Sequence, residues 1–213
     1  MSASIAFRAR PLRIGAIIVA PSWSYAALFA LMLAGCAAPR VKPDANLLAH
    51  QHEREVALAA QSSWQLSGRL GVSDGKDGAS GSLTWHQDGD TYRFSVHAPV
   101  TGKTWVLSGD AHRAVLEGLR DRPVEGDDAA ALLERELGWH VPVARLTEWV
   151  RAARAGNDAA IEFRSDGLPA SIREDGWTIE YPDYDTAHVP PLPRRIFASR
   201  GDYRVRLSVS EWR

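Results

Sequence analysis

One cysteine, Cys36, occurs in 213 residues, which excludes an intramolecular disulfide. Lysine is scarce as well: three lysines stand beside 22 arginines, and 26 acidic residues bring the formal net charge to −1. No basic stripe is present, so the charge pattern offers no nucleic-acid footprint. A Gly-rich phosphate loop, an HExxH pair and an internal repeat are all missing. That leaves no motif for nucleotide binding or zinc hydrolysis, and no cofactor or metal is expected. His50 and His52 lie two apart, and on a helix such a pair points to different sides. Asp127-Asp128 is explained by the positive end of a helix dipole. A G-x-S-x-G match, "GVSDG" at 71–75, surrounds Ser73. The catalytic version needs a strand–turn–helix elbow, whereas "KDGASGS" follows here as a flexible loop, so the chain reads as non-enzymatic.

Acidic residues are also absent from positions 1–35, which carry Arg8, Arg10 and Arg13 ahead of an apolar stretch from Ile14 to Ala34, interrupted by "PSWSY". A basic start, an apolar run and small residues at its end make a secretory signal, to be left out of the fold. Its last four residues, Leu33-Ala34-Gly35-Cys36, resemble the bacterial lipobox. There the cysteine sulfur receives a diacylglyceryl group and the signal is cut just before it. A membrane-spanning anchor is long enough on paper, but Pro21 and its polar neighbours break the stretch. Cys36 is therefore the expected lipidation site, and several acyl chains on one residue anchor a protein stably. Ala37 rather than aspartate follows it, which under the enterobacterial sorting rule implies the outer membrane. The expected organisation is a signal over 1–35, a lipidated linker and N-terminal helix over 36–62, and a β domain over 63–213. The mature chain would keep 178 residues, enough for one domain, with 22 basic and 26 acidic side chains.

After the polar linker "AAPRVKPDAN", the segment 44–61 reads as a helix with Asp44 as N-cap and Leu47, Leu48, Val56 and Ala59 on one side. The period then becomes two. Trp64, Leu66, Leu70 and Val72 alternate with polar residues, as do Tyr92, Phe94 and Val96, and later Tyr203, Val205, Leu207 and Val209. Such alternation means antiparallel strands with one apolar and one wet face. Asp-Gly at 74–75, 77–78, 88–89, 166–167 and 175–176 supplies hairpin turns. Two short helices are expected at 127–138, ending at Gly138, and at 143–150, with Val143, Leu146, Trp149 and Val150 inward. The fold class is mainly β with short helices. Three amphipathic helices are a modest cover for so much sheet, and a partly plugged concave face would leave an apolar cavity.

Eight tryptophans are present, seven of them beyond residue 36. Most belong to a core; Trp85, Phe94, Trp105, Trp149 and Trp177 are the candidates to line a cavity. The loop "HAPVTGKT" (97–104) places Pro99, Val100, Thr101 and Gly102 between two strands. From spacing alone, an apolar Val100 at a turn is expected to tuck inward.

Taken in order, the lipobox, "SGRLGV", "GSLTWHQDGDTYRFSV", the apolar loop after Pro99, "LLERELGWHVPVARLTEWV", "GLPASIREDGWTIEYPDY", "LPRRI" and "RVRLSVSEW" resemble the LolB family. The likeness runs from about Trp64 to the end. It implies a half-open antiparallel β-barrel with a helical lid over an apolar cavity. It also implies an outer-membrane lipoprotein that takes acylated lipoproteins from the periplasmic carrier LolA without nucleotide and inserts them into the membrane, acting as a monomer. In that family an apolar loop residue after proline, usually leucine, faces the membrane. By position the role falls on Val100, although valine replaces leucine and Thr101 separates it from Gly102. Two other readings differ in class: a lipid-anchored interaction lipoprotein with a solid β core, and a periplasmic hydrolase using Ser73.

Overall fold

The computed structural model describes residues 40–100 and 102–213. In chain order the described elements are β1 (Arg40–Val41), α1 (Ala45–Ala59), β2 (Ser63–Ser73), β3 (Gly78–Asp88), β4 (Thr91–Ala98), β5 (Lys103–Gly109), β6 (Ala114–Glu117) and β7 (Val124–Gly126). They continue with α2 (Ala129–Leu137), α3 (Val143–Trp149), β8 (Ala160–Arg164), β9 (Pro169–Glu174), β10 (Trp177–Asp185), β11 (Leu192–Arg200) and β12 (Tyr203–Trp212). All of them lie in one compact unit, Ala38–Arg213. That unit has its own core, centred on Leu66, Leu107, Phe163, Ile172, Trp177, Ile179 and Tyr181.

The strands form a single antiparallel sheet in the order β1-β8-β9-β10-β11-β12-β2-β3-β4-β5-β6-β7. It does not close, because β1 and β7 stay as edges; both are very short, which limits pairing with other chains. The last strand joins the two halves by pairing with β2, Leu207 opposite Leu70 and Trp212 opposite Leu66. Register fixes two ends. The connections 74–77, 99–102, 118–123, 175–176 and 201–202 lie at what we call the upper end; 89–90, 110–113, 165–168 and 186–191 lie at the lower end. The Asp175-Gly176 pair makes a two-residue turn with φ of 49° and 76°, as a primed hairpin requires.

The alternation in the sequence matches the burial. Leu66 and Val72, Phe94 and Val96, and Leu207 and Val209 are buried, while Arg69, Arg93, Arg204 and Arg206 are exposed. Helix α2 starts at an N-cap, Asp128, whose carboxylate accepts from the Ala131 N–H at 2.7 Å, and stops at Gly138 with φ of 68°.

Helix α1 departs from expectation. Leu48, Val56 and Ala59 are exposed, and the buried stripe is Gln51, Arg54 and Leu58. The helix crosses the lower end; Leu58 reaches the core, while Gln51 and Arg54 meet a backbone turn at 151–154. That turn, where Ala152 has φ of 55°, turns its carbonyls toward the helix. Arg54 donates to the Ala152, Arg151 and Pro191 carbonyls at 2.9, 2.8 and 2.8 Å, and Gln51 donates to Ala152 at 3.1 Å. In return Arg151 donates to the Leu58 carbonyl at 2.7 Å, near the end of α1, and Arg154 holds Glu55 at 2.7 and 2.9 Å. A buried carbonyl without a donor costs about 1–3 kcal/mol, so a helix docking here needs guanidinium groups more than leucines. The linker also departs from expectation: Arg40–Val41 pairs with β8, and Arg40 forms ion pairs with Glu162, at 3.2 Å, and with Glu180.

Arg54→Ala should therefore lower the unfolding free energy by roughly 2–4 kcal/mol, while Val56→Ala should change it by less than about 0.5 kcal/mol. Urea denaturation of both variants checks this; equal effects would contradict the polar docking of α1.

Candidate apolar pocket and its loop

Strands β10 to β5 present their inner side chains to α2, α3 and the segment between them, and a pocket of about 120 Å³ remains in this layer. All 20 of its lining residues are apolar. From the sheet come Leu70, Val72, Leu83, Trp85, Phe94, Val96, Trp105, Leu107, Ile179, Ile196, Ala198, Val205 and Leu207; Leu133, Trp139, Val141, Val143, Leu146, Trp149 and Val150 come from the helical side. Two of the indole N–H groups around the pocket are satisfied outside it. Trp85 donates to Gln87 at 2.9 Å, and Trp149 to the buried Glu174 at 2.9 Å. Glu174 also accepts from Arg145 at 2.7 Å and from the Ala155 N–H at 3.1 Å, which fastens α3 to the sheet.

Four of the five aromatic candidates thus share one wall: Trp85, Phe94, Trp105 and Trp149. Trp177 is buried elsewhere, 6.1 Å from the Trp149 ring and with the Arg200 guanidinium 5.2 Å from its own. Spacing could not separate it from the others, because strand phase gives inward or outward but not position along a curved sheet. Sequence reasoning passed over Trp139 and Val141, which sit on a loop with no period to read.

Six lining residues are half-buried, Leu146 on α3 and Leu70, Ala198, Val205, Trp139 and Val141, and the last five mark the mouth. Val205 is opposite Val72 and Ala198, close to the upper end. The segment 138–142 crosses this mouth. Tyr203 donates its hydroxyl to the Gly138 carbonyl at 2.8 Å and meets the His140 ring edge-on at 5.2 Å. Trp139 meets Trp105 edge-on at 5.5 Å. The lower end is closed by α1 and the 151–154 turn.

At the upper end, the 99–102 turn is closed by the Gly102 N–H donating to the Ala98 carbonyl at 2.9 Å, with Gly102 at φ of 66°. Pro99 is exposed and Val100 is 93% exposed, so packing does not draw the valine inward. Thr101 and Cys36 lie outside the described residues.

Below the apolar pocket lies a polar cleft of about 590 Å³, lined among others by Trp64, Tyr92, Asp110, Asp127, Asp128, Glu148 and Arg151. Burial, then the charges of Asp110 and Asp128, push the Tyr92 hydroxyl up to about 12. Burial raises Glu148 and lowers Arg151. Ser73 ends β2 and enters a hairpin turn, not a helix, and its hydroxyl accepts from the Gly75 N–H at 3.2 Å.

Removing the hydroxyl that pins the mouth, in Tyr203→Phe, should let an apolar fluorescent dye enter the pocket severalfold faster at a stability cost of about 1 kcal/mol. Stopped-flow fluorescence measures the entry. An unchanged rate would mean that the 138–142 segment is not what limits access.

Fold and pocket together define a class: an unclosed antiparallel sheet wrapped around an apolar pocket that helices cover. Comparison with known proteins narrows it. The family model for "Outer membrane lipoprotein LolB" matches residues 62–212. An outer-membrane lipoprotein LolB of Xanthomonas campestris is 41% identical over 186 residues, covering 84% of this chain and 85% of the relative. Its counterpart in Xylella fastidiosa is 35% identical over 175 residues, 81% of each chain. Among solved structures, a LolA superfamily protein from Nitrosomonas europaea aligns over 75% of this chain and 93% of its own, at 9% identity and a TM-score of 0.49. The chain belongs to the LolB family of outer-membrane lipoproteins.

Proposed function

We propose that the chain is anchored to the outer membrane by lipid on Cys36, receives acylated lipoproteins from a LolA-like periplasmic carrier, and delivers them to the membrane without nucleotide. The observation that carries this reading is a wholly apolar pocket whose mouth lies at the same end of the sheet as an exposed valine. Three acyl chains hold on the order of 40 methylenes, so exposing them to water costs tens of kcal/mol at about 0.8 kcal/mol each. Transfer therefore runs from cavity to cavity and then from cavity to bilayer. Its direction comes from rising affinity along the route.

The pocket as it stands is too small for such a load. Forty methylenes, each about the size of a water molecule at ~30 Å³, need on the order of 1,000 Å³. The lid must lift, and its attachments are uneven. Helix α3 is fastened by Glu174 and by the Tyr181 hydroxyl on the Trp149 carbonyl at 2.8 Å. Helix α2 and the 138–142 segment are held by Tyr203 and by the ion pair of Arg120 with Glu136. The part that moves is α2 with the segment after it. The same small volume favours a second reading, a lipid-anchored interaction lipoprotein whose core is simply filled.

Handover separates the two. The Ala38–Arg213 segment is mixed with a carrier preloaded with a triacylated lipoprotein, and a pull-down reports which protein holds the client. Movement to this chain without nucleotide supports the acceptor; retention on a matched carrier supports the filled core. Val100→Glu should leave folding and client uptake intact and reduce delivery to vesicles at least tenfold, because a carboxylate resists entry into apolar surroundings. Equal delivery by both proteins would remove Val100 from the mechanism.

A further inference from the structure

The outer face of the sheet segregates charge. Across β11, β12, β2, β3 and β4 the outward strand positions carry Arg195, Arg204, Arg206, Arg69 and Arg93 among serines, with His86 and His97. Acids stand only at the margins of this face. Asp74, Asp77 and Asp202 are in the upper turns, Asp88 and Glu211 are toward the lower end, and on β10 Glu180 is paired with Arg40 while Asp183 stands opposite Arg195. The Asp74 carboxylate is turned onto the N–H groups of Lys76 and Asp77. Among the described residues, Arg69, Arg93 and Arg206 form no ion pair, and Arg195 forms none although Asp183 on β10 stands opposite it in the register.

Register sets their spacing. Arg195 and Arg69 flank Ser208 from opposite sides, roughly 10 Å apart. Arg206 lies opposite Gly71, diagonal to Arg69 at roughly 7–8 Å. Two shallow hollows, of about 360 and 430 Å³, adjoin Arg204 and Arg206. One is bordered by Phe197, Ser199 and Glu180, whose carboxylate is paired with Arg40, and the other by Ser73 and Ser80; above Gly71 the space is open. Guanidinium groups beside hydroxyl-lined hollows match phosphate in charge and geometry.

We infer that this outer face docks on an anionic phospholipid surface, with lipid phosphates seated around Arg69, Arg195, Arg204 and Arg206. A lipid surface fits better than a discrete ligand because the arginines spread over several strands of an open face. It also fits the exposed Phe197 opposite Arg206 and the exposed Val100 at the upper end. Basic groups on such a surface attract it additively within a Debye length. The inference borrows from the proposed function only the membrane-facing reading of Val100.

The vesicle titration contains no client and no carrier, and carrier binding is measured separately by pull-down. The Ala38–Arg213 segment, which carries its own core, is titrated with vesicles of phosphatidylcholine alone and of an equal mixture with phosphatidylglycerol. Binding should favour the mixture, fall with salt, and weaken about fivefold per arginine removed. The combined Arg69→Ser, Arg195→Ser and Arg206→Ser variant should therefore bind about a hundredfold more weakly. A control of equal charge, Lys42→Ser with Arg113→Ser and Arg122→Ser, should stay near wild type, and circular dichroism should show all three proteins folded. Equal binding to both vesicles, or equal losses in both triple variants, would overturn the inference. Competition by inorganic phosphate beyond that of chloride at the same ionic strength would assign the face to free phosphate. Loss of carrier binding with vesicle binding intact would make it a protein dock. Either result also overturns the lipid assignment. Val100→Glu, assayed alongside, should keep the salt-dependent part of binding, so a failure of the loop reading is distinguishable.

Discussion

Arg54 and Arg151 are both buried, and each donates to carbonyls on the other's segment: Arg54 to the 151–152 turn, Arg151 to the end of α1. This exchange closes the lower end of a sheet that has no strand to close it. It holds Ala152 in a left-handed conformation that a side-chain-bearing residue adopts only when its surroundings insist. It also places the start of the 151–154 turn directly after α3, so the helix covering the pocket is fixed at its C-terminal end. An apolar helix in place of α1 would bury more hydrocarbon and leave four carbonyl contacts without donors. Polar satisfaction, not apolar area, decides which face of α1 is inward.

Much of this architecture was legible in the sequence. Alternation at 64–72, 92–96 and 203–209 marks strands because a one-residue slip would invert every side chain, and Asp175-Gly176 marks its hairpin because few other pairs tolerate two positive φ values. Helix α3 was read correctly because its partner is an apolar surface. Helix α1 and its Asp44 cap were read correctly, but its inward face was misread because hydrophobic periodicity is blind to a partner made of carbonyls. Arg40–Val41 was taken as linker because two residues carry no period, and its pairing depends on Glu162 and Glu180, far away in sequence.

The pocket was legible only in part. Inward phase selects Trp85, Phe94 and Trp105, but Trp177 shares that phase and packs elsewhere, since distance along the sheet is a tertiary quantity. Trp139 and Val141 escape because a mouth formed by a loop has no repeat. The unevenness of the lid was invisible for a similar reason. It depends on Glu174, a carboxylate at the end of β9 opposite Trp177, which is buried and accepts from Arg145, Trp149 and Ala155 on segments distant in sequence.

The division of labour between the two ends then has a physical basis. The lower end is rigid because its hydrogen bonds are buried and reciprocal. The upper end carries one hydroxyl pin across an apolar mouth, with an exposed valine on a neighbouring turn. The central claim is that acyl chains occupy the space beneath α2 and α3. The most direct measurement loads the Ala38–Arg213 segment with a lipoprotein whose acyl chains carry a photoreactive diazirine, irradiates it, and maps the adducts by mass spectrometry. The account expects adducts on Trp105, Leu133, Trp139, Val143 and Leu207. Adducts confined to the outer face of the sheet or to the 99–102 turn would contradict it.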